Sequence, residues 1–96
     1  GTYKFRNIQT GRYLGLANQG AKNSTNIQIQ SDDNSCAVKW YVYPETDNYH
    51  RITSSCRTIT SVDLNGGFQN GNNITIWQSH GGVHQQWQFV NPPAQE

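Results

Sequence analysis

The chain repeats itself. Asn26-Ile27-Gln28-Ile29-Gln30 lies over Asn73-Ile74-Thr75-Ile76-Trp77 at an offset of 47 residues, and Trp40-Tyr41-Val42 lies over Trp87-Gln88-Phe89 at the same offset. Upstream, Leu14-Gly15-Leu16 matches Val62-Asp63-Leu64 at 48, and Tyr3 matches Tyr49 at 46. The drift corresponds to a two-residue insertion in the second copy's first loop and a one-residue deletion in its middle loop, and surface turns absorb changes of that size. Self-similarity at a fixed period means one supersecondary unit built twice, each unit burying its apolar face against the other. With 96 residues in all, both copies belong to one domain.

Each copy holds four short apolar-alternating runs. In the first they fall at about 2–6, 12–16, 26–30 and 38–43, and in the second at about 49–53, 59–64, 73–78 and 86–90. Alternation at period two, as in Ile27/Ile29, Ile74/Ile76 and Tyr41/Tyr43, is the pattern of half-buried strands. Turn clusters separate them: Gln9-Thr10-Gly11, Asn65-Gly66-Gly67 and Asn70-Gly71-Asn72-Asn73. Asn and Gly tolerate the positive φ that tight hairpins demand. No helical periodicity competes. The expected fold is all-β, with two four-stranded repeats at 1–47 and 48–93 in a single domain 1–93, and a tail at 94–96. Pro92-Pro93 leads that tail out of the sheet.

The composition excludes several functions. Seven basic residues are scattered singly and the net charge is +1, so no cluster exists to neutralise a phosphate backbone, and no nucleic-acid partner is expected. No apolar run approaches the ~20 residues that span a bilayer, so no membrane insertion is expected. The surface is rich in uncharged Asn, Gln, Ser and Thr, which suits hydrogen bonding to neutral hydroxylated ligands. No nucleophile-and-base motif or phosphate loop is present, and the expected role is not that of an enzyme.

Two cysteines, Cys36 and Cys56, have neither Cys-x-x-Cys spacing nor a nearby His pair, which argues against zinc; no metal and no cofactor are expected. They are either a disulfide or two buried thiols. Asp32-Asp33-Asn34 lacks the continuation of a calcium loop and reads as a turn. The sequons at Asn23 and Asn73 point to a secreted, extracellular chain, and a start at Gly1 with no Met anywhere points to a processed precursor.

In the second copy the order is Val62-Asp63-Leu64, then Asn70-Gly71-Asn72-Asn73-Ile74-Thr75-Ile76-Trp77, then Gln85-Gln86-Trp87. This succession of aspartate, turn, aromatic and Gln-x-Trp resembles a ricin-B-type β-trefoil lectin repeat. The resemblance covers nearly the whole chain, since the first copy keeps the same skeleton. It implies a β-trefoil-like fold and a shallow pocket for galactose or N-acetylgalactosamine-type sugars, with glycans or glycoproteins as partners. By position the binding set is Asp63, Thr75, Trp77, His84 and Gln85. Asp63 would accept bonds from adjacent sugar hydroxyls, and Trp77 would stack on the pyranose. His84 and Gln85 would bond the sugar or hold the aspartate. A carboxylate and a flat aromatic are also what physical chemistry asks of such a site, because a sugar offers hydroxyls and one patch of C–H groups.

Two departures matter. His84 stands where the family usually has Asn, which would alter sugar preference or make binding pH-dependent. In the first copy Gly15 replaces the aspartate, Gln30 the aromatic and Ala37-Val38 the His84-Gln85 pair, so one sugar site per chain is expected. Trp40 and Trp87 match each other and read as core, whereas His50 and His80 read as surface residues. The family's fold has three repeats and this chain two, so the expected molecule is a partial trefoil completed by homo-oligomerisation. The rival reading is a protease inhibitor or other interaction module on the same scaffold.

Overall fold

The computed structural model describes residues 1–20 and 22–90; the expected Pro92-Pro93 exit, the domain end at 93 and the 94–96 tail lie outside the described residues. Among the described residues seven strands form: β1 (Tyr13–Leu16), β2 (Ile27–Gln30), β3 (Trp40–Pro44), β4 (Tyr49–Ser54), β5 (Arg57–Asp63), β6 (Thr75–Gln78) and β7 (Trp87–Gln88). β1 and β2 pair as a two-stranded hairpin, and β3-β4-β5-β6 form one antiparallel sheet with β7 added to β4. The molecule is all-β, and no α-helix occurs among the described residues.

The run expected at 2–6 makes no continuous strand. It contributes two single bridges, Tyr3 to Trp40 and Arg6 to Tyr13. A continuous strand needs one partner along its length, and among the described residues the stretch divides its backbone bonds: Tyr3 pairs with Trp40, while Phe5, Arg6 and Asn7 bond to the 12–14 segment.

The repeat survives folding down to single hydrogen bonds. The Trp40 indole donates to the Leu14 carbonyl at 3.1 Å, and the Trp87 indole donates to the Val62 carbonyl at 3.0 Å. Short 3-10 turns at Cys36–Val38 and Val83–Gln85 precede those tryptophans at matching positions. The two copies meet where their third strands begin: the Asn73 side-chain amide donates to Asn26 at 2.6 Å, and Asn26 bridges Thr75. A Cys36–Cys56 disulfide, Cα–Cα 4.9 Å, ties the first copy's 3-10 turn to the β4–β5 turn of the second.

Leu16, Ala37, Trp40 and Ile76 are fully buried, with Phe5, Ile27, Ile52 and Val62 packed against them. This core is not closed. An apolar groove of about 440 Å³ runs along it, walled by residues including Leu14, Ile27, Trp40, Val62, Ile74 and Trp87. Trp87 is therefore half-buried, whereas Trp40 is enclosed.

Candidate functional site

The β5–β6 hairpin carries the site. In its register Asp63 lies opposite Thr75, Ser61 opposite Trp77, and Val62 opposite Ile76. Side chains alternate across a strand, so Val62 and Ile76 go to the core while Asp63 and Trp77 share the other face. The aspartate ends β5, and the chain turns there: the backbone N–H of Asn65 donates to Asp63 Oδ1 at 2.7 Å, and Asn65 and Gly66 both have positive φ, 53° and 82°. This is an Asx-type turn, in which the carboxylate caps the backbone that follows it. Asn72 closes the next loop by donating to the Leu64 and Gly67 carbonyls.

The second carboxylate oxygen is held from the Val83–Gln85 turn. The Gln85 side-chain amide donates to Asp63 Oδ2 at 2.9 Å and to the Gln78 carbonyl at 3.1 Å, and its oxygen accepts the His80 N–H at 3.0 Å. Gln85 is 1% exposed and Asp63 is 5% exposed. The His80 imidazole Nε2 stands 3.8 Å from the same carboxylate oxygen. The Leu64 N–H donates to the His84 carbonyl at 3.2 Å, so turn and hairpin are fastened on both sides of the aspartate.

Above this carboxylate opens a cavity of about 290 Å³, lined by Asp63, Asn65, Gly66, Trp77, His80 and His84. Trp77 is 40% exposed, although its neighbours Thr75 and Ile76 are buried. The His84 ring is itself fixed by Phe68, 4.6 Å between centroids. A flat apolar wall, a fixed carboxylate acceptor and two imidazoles around an open cavity provide stacking and directional hydrogen bonds. Among the described residues no group of three or more His, Cys, Asp or Glu could hold a metal ion, and Asp32 and Asp33 cap the backbone N–H groups of Asn34 and Ser35.

Of the five residues singled out from sequence, Asp63, Trp77 and His84 line the cavity. Gln85 lies beneath it with its hydrogen bonds taken by protein partners, which makes it the holder of the aspartate. Thr75 faces Asp63 in the ladder but is buried at 2% exposure, off the cavity wall, with its hydroxyl unpartnered. His80, read from sequence as an ordinary surface residue, stands on the wall beside Asp63. No local signal marks it, because the loop after β6 brings it back over the hairpin. Asn65 and Gly66 were legible only as a turn.

The matching place in the first copy is filled. The Gln30 side chain lies over Gly15, so that a Cβ added there would stand 2.4 Å from Gln30 Oε1. Ala37 and Val38 are fully buried and bring no polar group.

The family described as ricin-type beta-trefoil lectin domain-like matches residues 1–77. The chain belongs to that family. The match ends at Trp77, so the His84–Trp87 segment of this lectin-like domain is placed by the structure alone. No curated protein sequence matches. Among solved structures, a designed threefold-symmetric protein, ThreeFoil, superposes with a TM-score of 0.89 at 22% identity, over 96% of this chain and 66% of that one. The exo-β-1,3-galactanase 1,3Gal43A of Clostridium thermocellum superposes at 0.87 and 22% identity, over 94% of this chain and 20% of that one. The ricin B-like lectin of Macrolepiota procera, solved in complex with lactose, superposes at 0.81 and 23% identity, over 95% of this chain and 64% of that one. The fold is that of a β-trefoil, and the chain spans less than two thirds of each of these structures.

Proposed function

We propose that this ricin-type domain binds galactose- or N-acetylgalactosamine-type sugars, without catalysis, in the cavity over Asp63. One observation carries the reading: a carboxylate anchored on both oxygens, by Gln85 and by the Asn65 N–H, beneath the exposed face of Trp77. An acceptor fixed before the ligand arrives loses little entropy on binding. The Trp77 ring supplies the apolar contact that a pyranose C–H face requires. The lactose carried by the Macrolepiota procera lectin is a galactoside, which supports the sugar class. With the first copy's position filled by Gln30, the reading is one site per chain, of about millimolar affinity, roughly −4 kcal/mol. The disulfide supports a secreted, oxidising location.

The open apolar groove supports the homo-oligomer. Its walls come as pseudo-equivalent pairs at the repeat spacing, and a second copy docked on this face would cover them. The Cys36–Cys56 bond joins the two repeats, so docking involves intact chains rather than exchange of one repeat. Light scattering tests this: a mass of 10.9 kDa at tens of micromolar protein would rule it out.

A glycan array with wild-type, Asp63→Ala and Trp77→Ala proteins tests the sugar reading. Galactose-type signal lost in both variants supports it. Folded wild-type protein that stays silent across neutral and acidic glycans refutes it and favours the inhibitor or interaction-module reading.

A further inference from the structure

A second cavity, of about 480 Å³, lies on the other side of the β6 end, lined by Tyr43, Arg51, Thr58, Ile59, Gln78 and Ser79. Its cation is unusual. Tyr43 and Arg51 are register partners on β3 and β4, and the guanidinium carbon sits 4.8 Å from the Tyr43 ring centre. A cation over an aromatic face is held in place by the ring quadrupole. Arg51 makes no ion pair among the described residues, and its Nε is buried with no hydrogen-bond partner. A half-buried guanidinium has lost part of its hydration, and in native proteins such a group ordinarily finds a carboxylate. Here none of the other five lining residues is charged.

We infer that this cavity is an anion subsite, in which Arg51 receives the carboxylate or sulfate substituent of an acidic glycan. Its outer nitrogens form a planar donor pair that matches an oxyanion, and stacking on Tyr43 fixes the plane before the ligand arrives. The Thr58 hydroxyl and the Gln78 amide add neutral hydrogen-bonding groups to the wall. Both cavities draw on the same stretch of chain. Trp77 and His80 line the sugar cavity, whereas Gln78 and Ser79 line the Arg51 cavity. Three residue steps cover at most about 11 Å, so an oligosaccharide bent around the strand end reaches both. The inference rests on the proposed sugar site for the neutral end of the ligand and adds the chemical class of its other end.

The test uses paired glycans, each galactoside presented neutral, sialylated and sulfated, against wild-type, Arg51→Gln and Arg51→Lys proteins. Acidic members are expected to bind about five- to tenfold more tightly than neutral ones at low salt, and the advantage shrinks as salt is raised. Arg51→Gln removes the advantage while neutral binding persists, which also shows that the variant is folded. Arg51→Lys, with a point charge in place of the fork, keeps only part of it. Sialylated and sulfated arms separate the two sources of negative charge. Neutral binding with no acidic advantage, or an advantage that survives Arg51→Gln, overturns the subsite and leaves the sugar site standing. Acidic binding alone, lost in Arg51→Gln, supports the subsite and sinks the neutral site.

Discussion

Replacing Gln85 by Leu is the sharpest probe of how the aspartate is held. The change keeps side-chain size and removes three hydrogen bonds: to Asp63 Oδ2 at 2.9 Å, to the Gln78 carbonyl at 3.1 Å, and from the His80 N–H at 3.0 Å. The first engages a carboxylate that is 5% exposed, and a bond to a charged group contributes about 1.5–3 kcal/mol. The other two involve exposed residues whose backbone groups partly rehydrate, at about 0.5–1 kcal/mol each. Leucine's apolar burial offsets part of the sum, leaving a loss of about 3 kcal/mol. For a chain of this size that lowers Tm by about 12–24 °C. The assay is thermal unfolding followed by tryptophan fluorescence at one fixed protein concentration, because any assembly shifts the midpoint by mass action. Gln86→Leu is the internal control. Its side chain donates to the Gly81 carbonyl in an exposed bond, and its loss should cost no more than about 0.5 kcal/mol. If the two variants unfold together, Gln85 does not anchor Asp63 and the preorganised acceptor has no basis.

Three other outcomes follow from the geometry. Reducing the Cys36–Cys56 bridge, which spans 20 residues, should lower stability by about 3 kcal/mol, read as a lower urea midpoint with a somewhat steeper slope, because the released unfolded chain exposes more surface. Trp77→Ala should abolish sugar binding while costing about 1–2 kcal/mol of stability, since the residue is 40% exposed but still buries part of its ring; a loss of about 3–5 kcal/mol would instead make Trp77 a packing residue. Lys4 donates a 2.7 Å hydrogen bond to Asp32, and this bond, with the Asn34 N–H, lowers the Asp32 pKa below the ordinary carboxylate value. Its folded pKa lies below its unfolded one, so the stabilisation is fully present above the unfolded value and disappears as pH falls through the folded one. Asp32→Asn should therefore flatten the acid limb of the stability profile, and an unchanged limb would remove Asp32 from the account.

Much of the fold was legible because the repeat prints its pattern twice. Alternation of Ile27/Ile29 and Ile74/Ile76 located β2 and β6, and the matching tryptophans at 40 and 87 occupy equivalent places, each with its indole bonded to a carbonyl that only the structure identifies. The cysteine count left disulfide and thiols open. Only the approach of the 36–38 turn to the β4–β5 turn decides between them, because pairing depends on distance in space. Asp63, Trp77 and His84 were legible by their place in a repeat, and they do line one cavity.

What tertiary structure alone decided concerns groups that meet across loops. His80 reaches Asp63 because the chain folds back after β6. That Gln85 holds Asp63, one of the two roles its position implied, is visible only in space, where its amide bonds the carboxylate, the Gln78 carbonyl and the His80 N–H. The 2–6 run failed as a continuous strand although its residues suit one, since a strand is completed by its partners and among the described residues Tyr3 pairs with Trp40 whereas Arg6 pairs with Tyr13. Local pattern determines which face of a strand is apolar, since side-chain alternation belongs to the backbone itself. Which groups then oppose that face is set by distant segments, and no sequence window contains them.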